Sequence, residues 1–228
     1  MESKMIKLLK YPLFLTCTIV LNVFMSTVQA SGGGADLPKA PINLQDTASL
    51  QRGARMFTDY CLGCHSLNYI RYERLVADLE IPEALVQKEF IFTDQDIFSQ
   101  MRISTPKEYS EKWFGVQPPD LTLETRLRSS DWVYNYLVGF YEDSSRPLGV
   151  NNTVFANVGM PHVMDNMQKT VSEKKFNAAM ADITNFLTYT GDPNKLEREH
   201  IGKWILAFLV LLFIPTWLLN REYWKSVK

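Results

Sequence analysis

The sequence predicts an all-α domain carried on a single C-terminal transmembrane helix, and three observations lead there. Two segments, TASLQRGARMFTDYC (residues 47–61) and SEKKFNAAMADITNFLTYTGDP (residues 172–193), place apolar residues at helical spacing. No series of alternating apolar and polar residues between turn signals suggests a set of strands. Residues 201–219, IGKWILAFLVLLFIPTWLL, form an apolar run of 19 residues with one charge, Lys203.

The chain opens with a pattern that reads as a signal peptide over residues 1–30. Lys4, Lys7 and Lys10 precede the apolar stretch YPLFLTCTIVLNVFM, and Val28 and Ala30 occupy the small-residue cleavage positions. Cleavage after Ala30 removes Cys17 and leaves Cys61 and Cys64 as the cysteines of the exported chain. Residues 31–46, SGGGADLPKAPINLQD, are rich in Gly and Pro and read as a flexible lead-in.

The folded domain is expected over residues 47–195. Its first helix carries Leu50, Ala54, Phe57 and Cys61 on one stripe, with Thr47 or Ser49 as cap. Residues 66–112 mix short helical patterns with turns, and PPDL (residues 118–121) marks a turn or extended stretch before a short helix. DWVYNYLVGFY has helical rhythm, whereas EDSSRPLGVNNTVFANVGMPHV is dense in Gly, Pro and Asn and reads as loop. The last soluble helix presents Phe176, Ala179, Ile183 and Leu187, with Ser172 as cap and Gly191 and Pro193 as stop signals. NKLEREH is then a linker into the membrane helix, residues 201–220.

As a helix, residues 201–219 span roughly 28 Å, about the thickness of a bilayer's hydrocarbon core. Trp204 and Trp217 lie near its two ends, where interfacial aromatics sit, Lys203 snorkels, and Pro215 interrupts the last turns. The tail, residues 221–228, holds Arg221, Lys225 and Lys228 against Glu222, so it stays in the cytoplasm and the domain lies outside.

Net charge is −1, which argues against nucleic acid as the partner. Residues 31–200 hold 23 acidic and 17 basic side chains, a balance of −6 that keeps the domain soluble and favours a basic soluble partner. Glu73, Asp78, Glu80 and Glu83 cluster in sequence within it.

The chemistry lies in CLGCH, residues 61–65. Cys-x-x-Cys-His is the attachment pattern for c-type haem: each thiolate adds to one haem vinyl group, and the adjacent histidine is carried beneath the iron. A structural zinc site needs about four ligands, and only His162 and His200 remain to supply them. A thioredoxin-like dithiol belongs in a βαβ setting that this chain does not suggest. His65 thus supplies one ligand, and the other is Met or His. The candidates are Met56, Met101, Met160, Met164, Met167 and Met180, together with His162. Met56 and Met180 fall in expected helices, while Met160 stands in the Gly/Pro-bracketed loop VGMPHV.

RGARMFTDYCLGCHSLNYIRYERL, GVQPPDLTLETRLRSSDWVYNYLVGFY, GVNNTVFANVGMPHVM and ADITNFLTYTGDP, followed by a C-terminal membrane helix, together resemble the cytochrome c1 family. These are the haem subunits of quinol:cytochrome c reductase, the cytochrome bc1 complex. The resemblance runs in family order from about residue 36 onward, and the short middle section is similar to bacterial members. It implies an all-α, cytochrome c-type haem domain with one covalent haem c on Cys61 and Cys64, ligated by His65 and Met160. It also implies that Arg128 pairs with a haem propionate and that Pro118 and Pro119 form haem-pocket wall. Trp132 stands where family members often carry a propionate-bonding Tyr, and KWFG departs from an Asn-containing segment of some members.

The implied function is one-electron relay from the Rieske iron–sulfur protein to a cytochrome c acceptor. The implied setting is a dimeric complex of the bacterial inner membrane, with the anchor packed on cytochrome b. Two other readings share parts of the pattern: a free-standing, membrane-anchored cytochrome c, and an exported thiol–disulfide enzyme using Cys61 and Cys64.

Overall fold

A computed structural model describes residues 37–103 and 105–225. The expected signal peptide, residues 1–30, lies outside the described residues. Helix α1, Thr47–Tyr60, forms where the stripe predicts it. Its cap is neither Thr47 nor Ser49 but Asp46, whose carboxylate accepts the Ser49 N–H at 2.9 Å. The acid serves better because its charge also meets the positive end of the helix dipole.

Helix α8 is Glu173–Gly191, and it crosses α1 to make the heart of the core. Intervening elements are β1 (Leu67–Arg71), α2 (Glu73–Ala77), α3 (Glu83–Glu89), β2 (Gln100–Met101), α4 (Lys107–Phe114), α5 (Glu124–Leu127), α6 (Ser130–Val138), β3 (Phe140–Glu142), β4 (Val150–Asn152) and α7 (Asp165–Thr170). The fold is mainly helical, with two short antiparallel ribbons, β1–β2 and β3–β4. Neither ribbon was legible from alternation. A register irregularity in β1 puts both Leu67 and Ile70 inward, and β3 and β4 are too short to show a period. The loop read over residues 142–163 is therefore in part a hairpin, its turn closed by Asp143 N–H to Gly149 O at 2.9 Å.

The α1–α8 crossing is made by size and by charge. Gly53 faces the α8 backbone at Asp182, too close for any Cβ. Phe57 and Phe186, both fully buried, meet at 5.8 Å between ring centroids. Beside them Asp182 accepts from Ser49 Oγ at 2.6 Å and from both Arg52 nitrogens, at 2.6 and 2.9 Å. Buried Asn185 bonds both the N–H and the carbonyl of Asn43, so its amide is satisfied. At the helix's start Ser172 holds the cap position without a side-chain hydrogen bond.

Helix α9, Lys195–Tyr223, begins six residues earlier than the expected span, so NKLEREH is mostly helix rather than linker. Its start is tied to the domain: Asp192 pairs with Arg198 and Arg126, and Arg74 donates to Asn194 at 3.0 Å. Beyond that start its large apolar side chains are exposed, including Trp204, Phe208, Phe213 and Trp217. With 29 residues it extends about 44 Å, enough for a single-pass membrane anchor. Pro215 has no N–H for the helix ladder, and Thr216 Oγ bonds Leu212 O and Phe213 O at 2.9 Å beside it.

Candidate functional site

Helix α1 delivers its C-terminal end to a cavity of about 320 Å³. Cys61 is the C-cap, with its N–H on Phe57 O at 2.8 Å; one tight turn then bonds Cys64 N–H and His65 N–H to Cys61 O at 3.0 and 2.8 Å. That turn gathers Cys61, Cys64 and His65 onto one wall. The walls are otherwise largely apolar and include Leu121, Val133, Leu137, Val158, Ile183 and Leu187.

PPDL is laced to the chain just after His65. Leu121 N–H bonds Ser66 O at 3.0 Å, and Asp120 accepts the N–H groups of Asn68 and Thr122 at 2.7 and 2.9 Å. This fixes Pro119 so that its carbonyl meets His65 Nδ1 at 2.8 Å. With Nδ1 donating to a carbonyl, Nε2 is the unprotonated nitrogen, the tautomer a metal ligand requires. Burial pulls the His65 pKa down against the upward pull of the Pro119 bond, Asp120 and Glu124, and so favours the neutral ring. Burial, with Cys64 adding to it, pushes the Cys61 thiol up to about 12.

Met160 also lines the cavity, between Gly159 and Pro161. Of the methionines the structure describes, it alone does so. Met101, Met164 and Met180 are buried in the core, and Met56 and Met167 pack against it. His162 is turned elsewhere, stacked on Phe140 at 4.7 Å with Nε2 on Gln168 at 2.5 Å. Two buried asparagines that the sequence marked only as loop residues shape the path to Met160. Asn152 accepts from Val154 and Phe155 N–H and donates to Tyr136 O at 2.7 Å; Asn151 accepts from Asn157 N–H at 2.9 Å.

Arg126 and Arg128 part company. Arg126 points to Asp192 at 3.1 Å, away from the cavity, whereas Arg128 lines it. The Arg128 guanidinium lies 4.4 Å from the Trp132 ring centroid. Its Nε is 2.6 Å from Glu124 Oε1, yet this N–H is not aimed at the carboxylate and makes no hydrogen bond although the atom is buried. Ser129, at φ 86° and capping α6 through Trp132 N–H, turns the chain so that Arg128 and Trp132 face one cavity. Tyr136 stacks on Trp132 at 5.0 Å, and its hydroxyl donates to Met160 Sδ at 3.5 Å.

The acidic sequence cluster does not form one face of free charge. Asp78 accepts from Tyr189 at 2.5 Å and pairs with Arg74 at 2.7 Å. Among the described residues no group of three or more His, Cys, Asp or Glu side chains gathers as a cation site. The donor set instead fits a covalent haem: two thiols and a neutral-tautomer histidine on one wall, a thioether sulfur, apolar sides, and the Arg128 guanidinium as a cation suited to an anionic edge. Sequence reasoning missed Glu124, Tyr136, Asn151 and Asn152, whose residue types carry no signal until the fold brings them there.

The family model described as the Cytochrome C1 family matches residues 38–227. The chain is 47% identical over 240 residues to a cytochrome c1 of Allochromatium vinosum, covering 92% of this chain and 98% of that one. It is 36% identical over 231 residues to a protein of Nitrosomonas europaea named ammonia monooxygenase gamma subunit, covering 94% and 97%. A cytochrome c1 of Cereibacter sphaeroides is 22% identical over 275 residues, covering 95% and 96%. With a match running through the haem-attachment turn, the cavity and the anchor helix, the chain belongs to the cytochrome c1 family.

Proposed function

We propose that His65 and Met160 are the two protein ligands of the iron, and that electrons pass through this site from the Rieske iron–sulfur protein to a cytochrome c acceptor. The chain is an electron-transfer subunit of a cytochrome bc1 complex, alongside cytochrome b and the Rieske protein, and carries one haem c on Cys61 and Cys64. When bound, the haem supplies a one-electron Fe(III)/Fe(II) couple.

The single observation that carries the ligand assignment is the shared cavity. His65, oriented by Pro119, and the Met160 sulfur line the same apolar-walled space as both cysteines. Pro119 fixes the His65 ring so that no rotation is needed when the iron changes state. Apolar walls exclude water and hold the potential high, as a methionine ligand also does. Arg128, ion-paired with Glu124 at 2.6 Å, offers its guanidinium to a propionate, a buried anion that needs a cation. Pro118 and Pro119 close the wall without leaving an unpaired N–H. None of these roles is acid–base catalysis; the reductase reaction belongs to the complex.

The same reading puts the haem domain in the periplasm and the tail in the cytoplasm of a bacterial inner membrane. It rests on the positive charges after residue 220 and on the N-terminal export pattern. The assembly is taken to be dimeric, as the family resemblance implies.

The test is a reduced-minus-oxidised visible spectrum of protein tagged at the C-terminus and extracted in mild detergent. A c-type band together with b-type bands is expected, because cytochrome b is retained. A c-type band alone under conditions that keep other membrane complexes intact would overturn the partner assignment. A protein without any c-type band, from a host that matures such cytochromes, would overturn the haem site.

A further inference from the structure

Tyr136 is neither an attachment residue nor a candidate ligand, yet its position is closely determined. Its ring lies between Trp132, stacked at 5.0 Å and 13°, and Phe140, edge-on at 5.2 Å. Its carbonyl accepts from the buried Asn152 amide at 2.7 Å, and that amide's oxygen holds the N–H groups that start the loop to Met160. The ring and the loop are thus tied to one another through Asn152. The result is a phenol O–H directed at Met160 Sδ from 3.5 Å, within an apolar cavity wall.

We propose that Tyr136 is a positioning residue for the axial methionine: its hydroxyl orients the Met160 sulfur and raises the reduction potential of the site. The inference rests on Met160 being an iron ligand. A sulfur has more than one lone pair, so it can bind a metal and accept a weak hydrogen bond together. An O–H on the second lone pair draws electron density from sulfur and makes it a poorer donor to the more positive ferric state. The O–H dipole also turns its positive end toward the site, where low dielectric magnifies the effect. Both act in one direction, favouring the reduced form. The hydrogen bond also selects one rotamer of a flexible side chain that has no branching to fix it.

The test keeps the complex intact. Tyr136→Phe retains the ring and its stacking and removes only the hydroxyl. We expect c-type haem content to stay at the wild-type level. The reduction equilibrium should shift about three-fold toward the oxidised form, roughly 28 mV lower at 59 mV per tenfold for one electron. The sulfur-to-iron charge-transfer band of the oxidised protein should persist but move. As a second variant, 3-fluorotyrosine placed at position 136 keeps both ring and hydroxyl and strengthens the donor, so it should shift the potential upward. An unchanged potential in both variants, with the charge-transfer band still present, would overturn the role of Tyr136 while leaving Met160 as ligand. Absence of that band in the wild-type protein would overturn the methionine ligand itself and the inference with it. Should Tyr136→Phe fail to accumulate, the direction of the 3-fluorotyrosine shift decides alone: upward supports the inference, and no shift overturns it.

Discussion

Gly53→Ala tests whether the haem-attachment helix is held where it is by close contact with α8. A Cβ at Gly53 would lie 2.1 Å from the carbonyl oxygen of Asp182, 2.7 Å from its carbonyl carbon and 2.8 Å from Phe186 Cβ. Non-bonded carbon and oxygen atoms sit about 3.2 Å or more apart, and carbon atoms about 3.5–4.0 Å, so the helices must separate by roughly 1 Å or more. Neither obstacle can turn aside, since one is helix backbone and the other is the root of a fully buried phenylalanine. Overpacking of this kind costs about 1–3 kcal/mol, and alanine's better helix propensity returns at most about 1 kcal/mol. Separation also loosens the Phe57–Phe186 contact and the Ser49 and Arg52 bonds to Asp182, each in the range of about 0.5–1.5 kcal/mol. A net loss of about 2–3 kcal/mol follows, which for a chain of this size lowers the melting temperature by roughly 4–12 °C. Thermal melts of the solubilised holoprotein, followed by far-ultraviolet circular dichroism, measure it. Because α1 ends at Cys61, covalent haem per unit protein should fall as well, read by peroxidase staining of denaturing gels. A variant that melts within about 2 °C of wild type would show that the crossing has slack, and the reasoning from close approach would fail.

Met160→Leu should leave the haem attached, because both thioethers remain, while the potential drops sharply and the sulfur-to-iron band disappears; an unchanged potential would point to another ligand. Arg128→Gln should lower the potential while the thioether-bound haem stays attached, whereas Arg126→Gln, directed at Asp192, should leave the potential unchanged, and a potentiometric titration of both variants separates them. Asp131 gives the pH-dependent case. Burial pushes its carboxyl upward, but the Lys39 hydrogen bond at 2.7 Å, the Ala40 N–H at 2.8 Å and the Lys39 charge together outweigh it and hold the pKa below the usual carboxylate range. A depressed folded pKa means stability that is present above the unfolded value of about 3.9 and is lost as pH falls through the folded one. Wild type should therefore be more stable than Asp131→Asn at pH 6, with the gap closing below about pH 4; a gap independent of pH would show that the carboxylate's charge is not what matters.

How much of this was legible in the sequence divides along a physical line. The attachment turn is local: Cys61, Cys64 and His65 are bonded to one another's backbone within five residues, so spacing alone conveys their geometry. The two long soluble helices declare themselves by period, and the anchor by length and apolarity. Cap chemistry was less readable, because Asp46, Thr47 and Ser49 are all competent and the choice depends on where the preceding chain runs. The ribbons were hidden because β2 has two residues and β1 breaks register. Gly53 carries no signal of its own in the sequence; its reason is a neighbour 129 positions away in the chain, Asp182.

The site itself is two constructions of different kind, and they should fail separately. The His65 side joins the local turn 61–65 to residues 118–122, laced on from more than fifty positions away, and sets whether the haem is attached and held from below. The Met160 side is assembled from three successive stretches: α6 contributes Trp132 and Tyr136, the β3–β4 ribbon contributes Asn151 and Asn152, and the loop beyond contributes the sulfur. Its parts are tyrosine, tryptophan and asparagine, residue types that occur everywhere and signal nothing alone, so only the fold reveals them. Damage to the first side removes haem from the protein. Damage to the second leaves a haem protein whose potential has moved. A relay subunit is judged by its potential, which makes the less legible half of the site the one where function is tuned.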